Sequence, residues 1–354
     1  MKILILTGFL SYRGTGIYTL NLSEELKARG HSVRIICTGG NLVNELIKKK
    51  IPVDVYPGLL NPIENLFLFS RVLRKINADI PDIIHTHQPR LAGFTSRLAQ
   101  KLKKPYFLTI PHAQQIRSRI KINDKWIKNI IVTTESGREH LVNEIGAPKD
   151  LIEVIYVGVS SELLKSISVP KDEGLKSVIG IIGPLEEWRG HHDFILAAQD
   201  VIAKGFEPQF LIIGEGMMES DLRHLVMTLG IQKHVVFIPS LDSYHKILTT
   251  VDIFVFPIRQ IGMGLTILEA MGLGKPVIVS AIGDVYKLVK DGETGWLIPP
   301  QNYQAVAEKI VFALNNKMLA LEIGERARKF VEANFSSQQM TDKTIELYQK
   351  ALTA

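Results

Sequence analysis

Arginine, histidine, glutamate and closely spaced glycines recur in this chain just after short apolar runs, and these are the residue types that hold a phosphate or move a proton. In GFLSYRGTG, residues 8–16, Gly14, Thr15 and Gly16 let backbone approach a ligand and present N–H groups at the start of a helix, as anion binding requires. A plain tight turn is the alternative there, and Ile17, Tyr18 and Thr19 exclude the dinucleotide fingerprint because no third glycine follows. His87 and His112 each follow an apolar run, in IIHTHQP and FLTIPHAQQ, so both imidazoles are candidates for one cleft. In IGPLEEWRGHHDFILAA, Gly183 ends an apolar run and Arg189 precedes a helix starting near His191, where a guanidinium can grip a diphosphate through paired hydrogen bonds. IIGEGMMESDL puts Gly214 and Gly216 directly after a strand pattern, where a nucleotide can pack on backbone. Finally, in FPIRQIGMGLTILEAMGLGKPVI, Gly262, Met263 and Gly264 open a helix whose first N–H groups, near Leu265 and Thr266, are expected to meet phosphate oxygens. Glu269, one turn on, is expected to reach a ribose diol.

Metal chemistry has little support, since no Asp-x-Asp pair and no His-x3-His spacing occurs. The lone cysteine, Cys37, allows no intrachain disulfide and fits a reducing cytosol. Residues 1–10 read as a first strand rather than a signal peptide, because the apolar run is short and no small-residue cleavage site follows. No stretch of eighteen apolar residues predicts a membrane span.

These loops need a scaffold that fixes their ends. Ile-, Val- and Leu-rich runs alternate with amphipathic stretches, the pattern of parallel strands joined by crossover helices, so an α/β architecture is expected. Strand candidates are 2–7, 32–37, 53–56, 83–85, 106–110, 130–133 and 152–156, then 177–182, 209–213, 235–238, 253–256 and 276–280. The polar segment 166–176, with both Pro and Gly, reads as a linker between domains at 1–165 and 177–335. Open parallel sheets bind ligands beyond the carboxyl ends of their strands, so two doubly wound sheets are expected to face a cleft.

Charge is unevenly spread. Residues 1–170 carry 24 Lys+Arg against 14 Asp+Glu, whereas the remainder carries 18 against 22. Between Arg97 and Lys128 nine cationic residues meet only Asp124, which fits either a solvated face or contact with an anionic membrane or acidic acceptor. Nothing points to nucleic acid, and the oligomeric state is not legible.

Taken in order, the glycine-rich first loop, the histidine loops, G-x-L-x-x-x-R-G and the stretch from Gly264 to Ile278 resemble the retaining nucleotide-sugar glycosyltransferases of family 4. The resemblance implies the GT-B fold, two Rossmann-like domains with a helix at 336–354 returning to the first. It also implies a nucleoside-diphosphate sugar as donor, a glycan or lipid-linked hydroxyl acceptor and no metal cofactor. Residue by residue, Gly14 to Gly16 and His112 are implied to border the donor phosphates and sugar, Arg189 to hold the diphosphate and Glu269 the ribose. His87 is left for the acceptor side. The chain departs from the family pattern at Pro184, where an arginine is usual, at Arg189, where a lysine is usual, and at Ile261, where a first glutamate is usual. Two other readings therefore stay open: a nucleotide-sugar-binding pseudoenzyme with a regulatory role, and a sugar-nucleotide epimerase on the same fold.

Overall fold

The computed structural model describes residues 1–12, 14–117, 125–166, 176–239, 244–260 and 264–353. The chain divides into two compact units, residues 1–158 with 337–354 and residues 159–336. The expected linker at 166–176 falls mostly on 167–175, outside the described residues.

The first unit holds β1 (Lys2–Leu6), β2 (Ser32–Cys37), β3 (Val53–Val55), β4 (Ile83–Thr86), β5 (Tyr106–Ile110), β6 (Ile127–Val132) and β7 (Ile152–Val154), in spatial order β3-β2-β1-β4-β5-β6-β7. All six pairings are parallel. The second unit holds β8 (Val178–Ile182), β9 (Gln209–Ile213), β10 (Val235–Ile238), β11 (Ile253–Phe256), β12 (Val277–Ser280) and β13 (Trp296–Ile298), ordered β10-β9-β8-β11-β12-β13 and again parallel. Central strands such as β4, β5, β11 and β12 are buried throughout, which is why they read as unbroken apolar runs, while the edge strands β3 and β10 are partly open.

Each sheet grows outward from its first strand in one direction and then crosses back to its other side. The loops after β1 and β4 therefore diverge in the first unit, and the loops after β8 and β11 diverge in the second. Such a reversal of strand order opens a crevice at the carboxyl ends, so topology alone nominates those four loops.

The helix Ser337–Thr353 closes the first unit. Ser337 Oγ donates to Glu25 at 2.8 Å, and Arg29 pairs with Asp342 at 2.8 Å. Deeper in, Tyr348 Oη lies 2.6 Å from His85 Nδ1, His85 Nε2 lies 2.7 Å from Thr109 Oγ1, and His87 Nδ1 lies 2.8 Å from Thr19 Oγ1. All five side chains are at most 1% exposed. Burial lowers the pKa of His87 to about 3 and holds His85 well below the usual histidine range, with His87 adding to that effect. In the unfolded chain both titrate near 6.5, so between that value and the native ones the unfolded state binds more protons and stability falls as pH falls. At pH 5 the penalty from His87 alone is about 2 kcal/mol, because unfolded histidine gains that much from protonation. Thermal unfolding at pH 7 and pH 5 checks this. A marked drop in Tm is expected at pH 5, smaller in a His85→Gln/His87→Gln variant relative to its own pH 7 value.

The described residues of the basic run after Arg97 do not share one face. Lys103, Lys104 and Lys125 stand just before β5 and β6 at the amino edge of the sheet, Lys128 lies within β6, Arg117 follows β5 at the carboxyl edge, and Arg97 is on the helix Ala92–Leu102. Arg119, Lys121 and Asp124 lie outside the described residues. Among the described residues no helix is long and apolar enough to cross a membrane.

Candidate functional site

The second unit brings the most chemistry together at its switch point. After β8 the chain turns through Gly183 and Pro184 into a single 3₁₀ turn, Glu187–Arg189, and then the helix His191–Ala203. The Arg189 guanidinium carbon sits 4.0 Å from the Trp188 ring centroid and 5.7 Å from that of Phe256, at the end of β11. Its Cδ passes 3.6 Å from where a Cβ on Gly183 would stand, so the arginine lies over that glycine. Stacking on two aromatic faces limits the freedom of a long side chain and fixes its planar fork. The loops after β8 and β11 are tied together, since Arg259 N–H donates to Trp188 O at 2.8 Å and the Arg259 guanidinium approaches Asp193 at 3.5 Å.

From the β11 side comes the helix Leu265–Gly272, entered through Gly264 at φ 71°. A side chain at Gly264 would be strained at that angle and its Cβ would run into Leu288. The first intrahelical bond runs from Leu268 N–H to Gly264 O, which places the N–H groups of Leu265, Thr266 and Ile267 ahead of the helical ladder, at the positive end of the dipole. Ile261, Gly262 and Met263 lie outside the described residues.

Glu269 is 2% exposed on the second turn of this helix. Tyr244 Oη donates to its Oε2 at 2.7 Å, and His245 Nε2 lies 2.9 Å from its Oε1. A carboxylate has about four acceptor directions, so these contacts orient the group and still leave lone pairs for a diol. Burial, then the neighbouring carboxylate, pushes the Tyr244 pKa well above its usual value, so the phenol keeps the proton it donates. Nothing in the sequence marks Tyr244 or His245 as partners of Glu269. Both open the helix Tyr244–Thr250, about 25 residues before their partner, with no spacing signal linking them to it.

Gly214 and Gly216 serve packing against the β8 loop. A Cβ on Gly214 would strike Gly183 O, one on Gly216 would strike the Leu185 backbone, and Leu185 N–H donates to Glu215 O at 3.0 Å. They thus support the segment beneath Arg189. His191, at the start of the next helix, is 1% exposed, and burial followed by the Arg189 charge lowers its pKa to about 3. A neutral imidazole there leaves Arg189 as the positive group.

In the first unit, the helix Gly14–Ala28 opens with Gly14, Thr15 and Gly16 directly after the β1 loop. Gly16 packs so closely on Ser11 O that a Cβ has no room. His112 follows β5 and is half-buried at that strand's carboxyl end. The placement of His87 differs from the expected acceptor-facing imidazole. It is 1% exposed and faces Thr19, Tyr18 and His85 within the unit, because the polar network under the C-terminal helix takes its ring. Among the described residues no cluster of three or more His, Cys, Asp or Glu is arranged to hold a metal.

The sequence pattern of the family described as Glycosyltransferase Family 4 matches residues 12–163, and that of Glycosyl transferases group 1 matches residues 166–330. The N-acetyl-alpha-D-glucosaminyl L-malate synthase of Bacillus anthracis is 23% identical, over 99% of this chain and 98% of the relative. The UDP-Gal:alpha-D-GlcNAc-diphosphoundecaprenol alpha-1,3-galactosyltransferase of Escherichia coli is 25% identical, over 94% and 93%. Among solved structures, the Anabaena protein HepE in complex with UDP-glucose superposes with a TM-score of 0.83 at 18% identity, covering 99% of this chain and 100% of the other. With two doubly wound units of the GT-B type and both halves matched, this chain belongs to the family 4, group 1 glycosyltransferases.

Proposed function

We propose that this glycosyltransferase moves a sugar from a nucleoside-diphosphate donor to a hydroxyl of a glycan or lipid-linked acceptor, with retention, in envelope polysaccharide or lipid-linked glycan synthesis. The observation that carries the reading is the β8/β11 switch point. There the stacked Arg189, the N-terminus of Leu265–Gly272 and the buried, oriented Glu269 belong to one unit. Arg189 and the helix N–H groups supply the positive field for a departing diphosphate, and Glu269 accepts from the ribose hydroxyls. The bond between the sugar's anomeric carbon and the phosphate oxygen breaks, the electron pair leaving with the phosphate. That oxygen takes the acceptor's hydroxyl proton while the acceptor oxygen bonds the anomeric carbon from the same face. Charge stabilisation in this scheme falls to the arginine and backbone dipoles, with no metal assigned.

The named relatives support the substrate class. HepE was solved with UDP-glucose, and the Escherichia coli relative is named for a UDP-sugar donor and a diphospholipid acceptor. Thermal unfolding with a panel of nucleotide sugars identifies the donor, since a ligand at a hundred times its Kd adds about 2.7 kcal/mol. Proton NMR of the product then reads the anomeric configuration. Expected is transfer with the donor's configuration kept. Inversion overturns the retention, and a sugar nucleotide that isomerises without acceptor overturns the transfer.

A further inference from the structure

We infer that the amino-terminal turn of the helix Glu64–Asn77 inserts into an anionic lipid bilayer, with the arginines further along the same outward stripe engaging lipid phosphates. This deepens the lipid-linked acceptor reading and rests on it only for the acceptor, since the surface itself is read from the first unit alone.

The helix turns its core side inward through Val72 and Ile76, with Leu68, Phe69 and Leu73 packed partly against the same core. Its outward side begins with three large apolar side chains left in the open, Ile63 at 72%, Leu66 at 60% and Phe67 at 78% exposure. Single exposed leucines are ordinary, whereas three adjacent ones at the end of a helix form a wedge. The wedge is held in shape, because Asn61 Oδ1 accepts the Ile63 N–H at 2.9 Å and the Glu64 N–H at 3.3 Å.

Charge selects the occupant. Ile63, Phe67, Arg71 and Arg74 follow one another at helical spacing along the outward stripe, and Arg71 and Arg74 are exposed. Neither guanidinium is in an ion pair among the described residues, and Arg71 leans toward the Tyr56 ring at 5.8 Å. Beside them Arg97, also exposed, reaches Asn65 Oδ1 at 3.2 Å and covers Phe69 at 5.1 Å, so it adds a third cation from the neighbouring helix. The only acid in the helix, Glu64, folds its carboxylate over Gly58. Phe67 and Arg74 are about 10 Å apart along the axis at 1.5 Å rise per residue, comparable to the roughly 5–10 Å to which interfacial helices bury their apolar face at the headgroup/acyl boundary. An apolar protein groove satisfies the wedge and leaves the arginines unmatched, whereas an anionic bilayer matches both.

The full chain is mixed with phosphatidylcholine vesicles, with or without phosphatidylglycerol, and sedimented at low and high salt. Binding to the anionic vesicles is expected, weakened by salt. Ile63→Ser/Phe67→Ser is expected to reduce it by roughly tenfold or more, the partitioning lost with two large apolar side chains. Arg71→Gln/Arg74→Gln is expected to reduce it roughly thirtyfold. These positions are exposed, so unchanged thermal unfolding verifies the fold. Because Cys37 is buried, a dye placed through Phe67→Cys labels one accessible thiol, and its emission should shift to the blue on anionic vesicles. Wild-type protein that ignores anionic vesicles, serine variants that bind unchanged, or a dye that stays in water overturns the inference. So does self-association through this turn without vesicle binding. Nucleotide binding is measured on the same samples without vesicles, so failure of the donor reading shows separately.

Discussion

Arg189→Ala is expected to lower sugar transfer on the order of 100-fold or more, the usual cost of removing one preorganised charge donor from a developing anion. The expectation is at the high end because Pro184 occupies the position where the family pattern has a second cation, so Arg189 is the one cation that residues 183–190 offer the proposed diphosphate. Its geometry also explains why lysine should not restore it fully. The guanidinium lies over the Trp188 ring, with Phe256 and Gly183 close by, a setting that uses a planar group and gives an ammonium little to stack on. Arg189→Lys is therefore expected between alanine and wild type, with KM for the donor raised. Fold stability should change by only about 1 kcal/mol, the worth of a partly exposed cation–π contact. Steady-state kinetics with the donor found by thermal shift checks both variants. Alanine turnover within threefold of wild type removes Arg189 from the phosphate site.

The location of this arginine is legible in the sequence alone, and the reason is topological. Strand runs as apolar as 178–182 and 253–256 are recognisable because both faces of a central parallel strand are buried, and glycine-rich loops after such strands fall at the carboxyl edge by construction. Where burial is weaker, the signal fades. β13 is only three residues, Trp296–Ile298, held between Gly295 and Pro299, and a run that short cannot be told from a loop by periodicity. Spacing also says nothing about which way a side chain turns. His87 and His112 both follow strands, yet His87 is drawn inward by Thr19 and His85 while His112 stays half-buried at the strand end. Gly214 and Gly216 were visible as close-approach positions, but what approaches them is the Gly183 to Leu185 backbone, a partner about 30 residues away. Pairings at such separations carry no local mark, and the hold of Tyr244 and His245 on Glu269 is the instance with most consequence for function.

That hold makes a graded prediction at Glu269. Glu269→Gln keeps the size of the side chain and removes its charge, replacing one acceptor oxygen by an NH₂ that faces either the Tyr244 hydroxyl or His245. Charged hydrogen bonds contribute about 1.5–3 kcal/mol, so affinity for the free nucleoside diphosphate is expected to fall about 10- to 100-fold. The loss should be similar for every sugar attached, because the proposed contact is with ribose and the sugar lies beyond the phosphates. Tyr244→Phe removes only one orienting donor and keeps the carboxylate, so a fall of about fivefold is expected, near the 1 kcal/mol of an ordinary hydrogen bond. In the double variant the two effects should not add, since the phenol acts through the carboxylate and has nothing to orient once the charge is gone. Calorimetry with the nucleoside diphosphate measures all three proteins directly. Diphosphate affinity unchanged in Glu269→Gln removes the ribose role, and full additivity in the double variant separates Tyr244 from it.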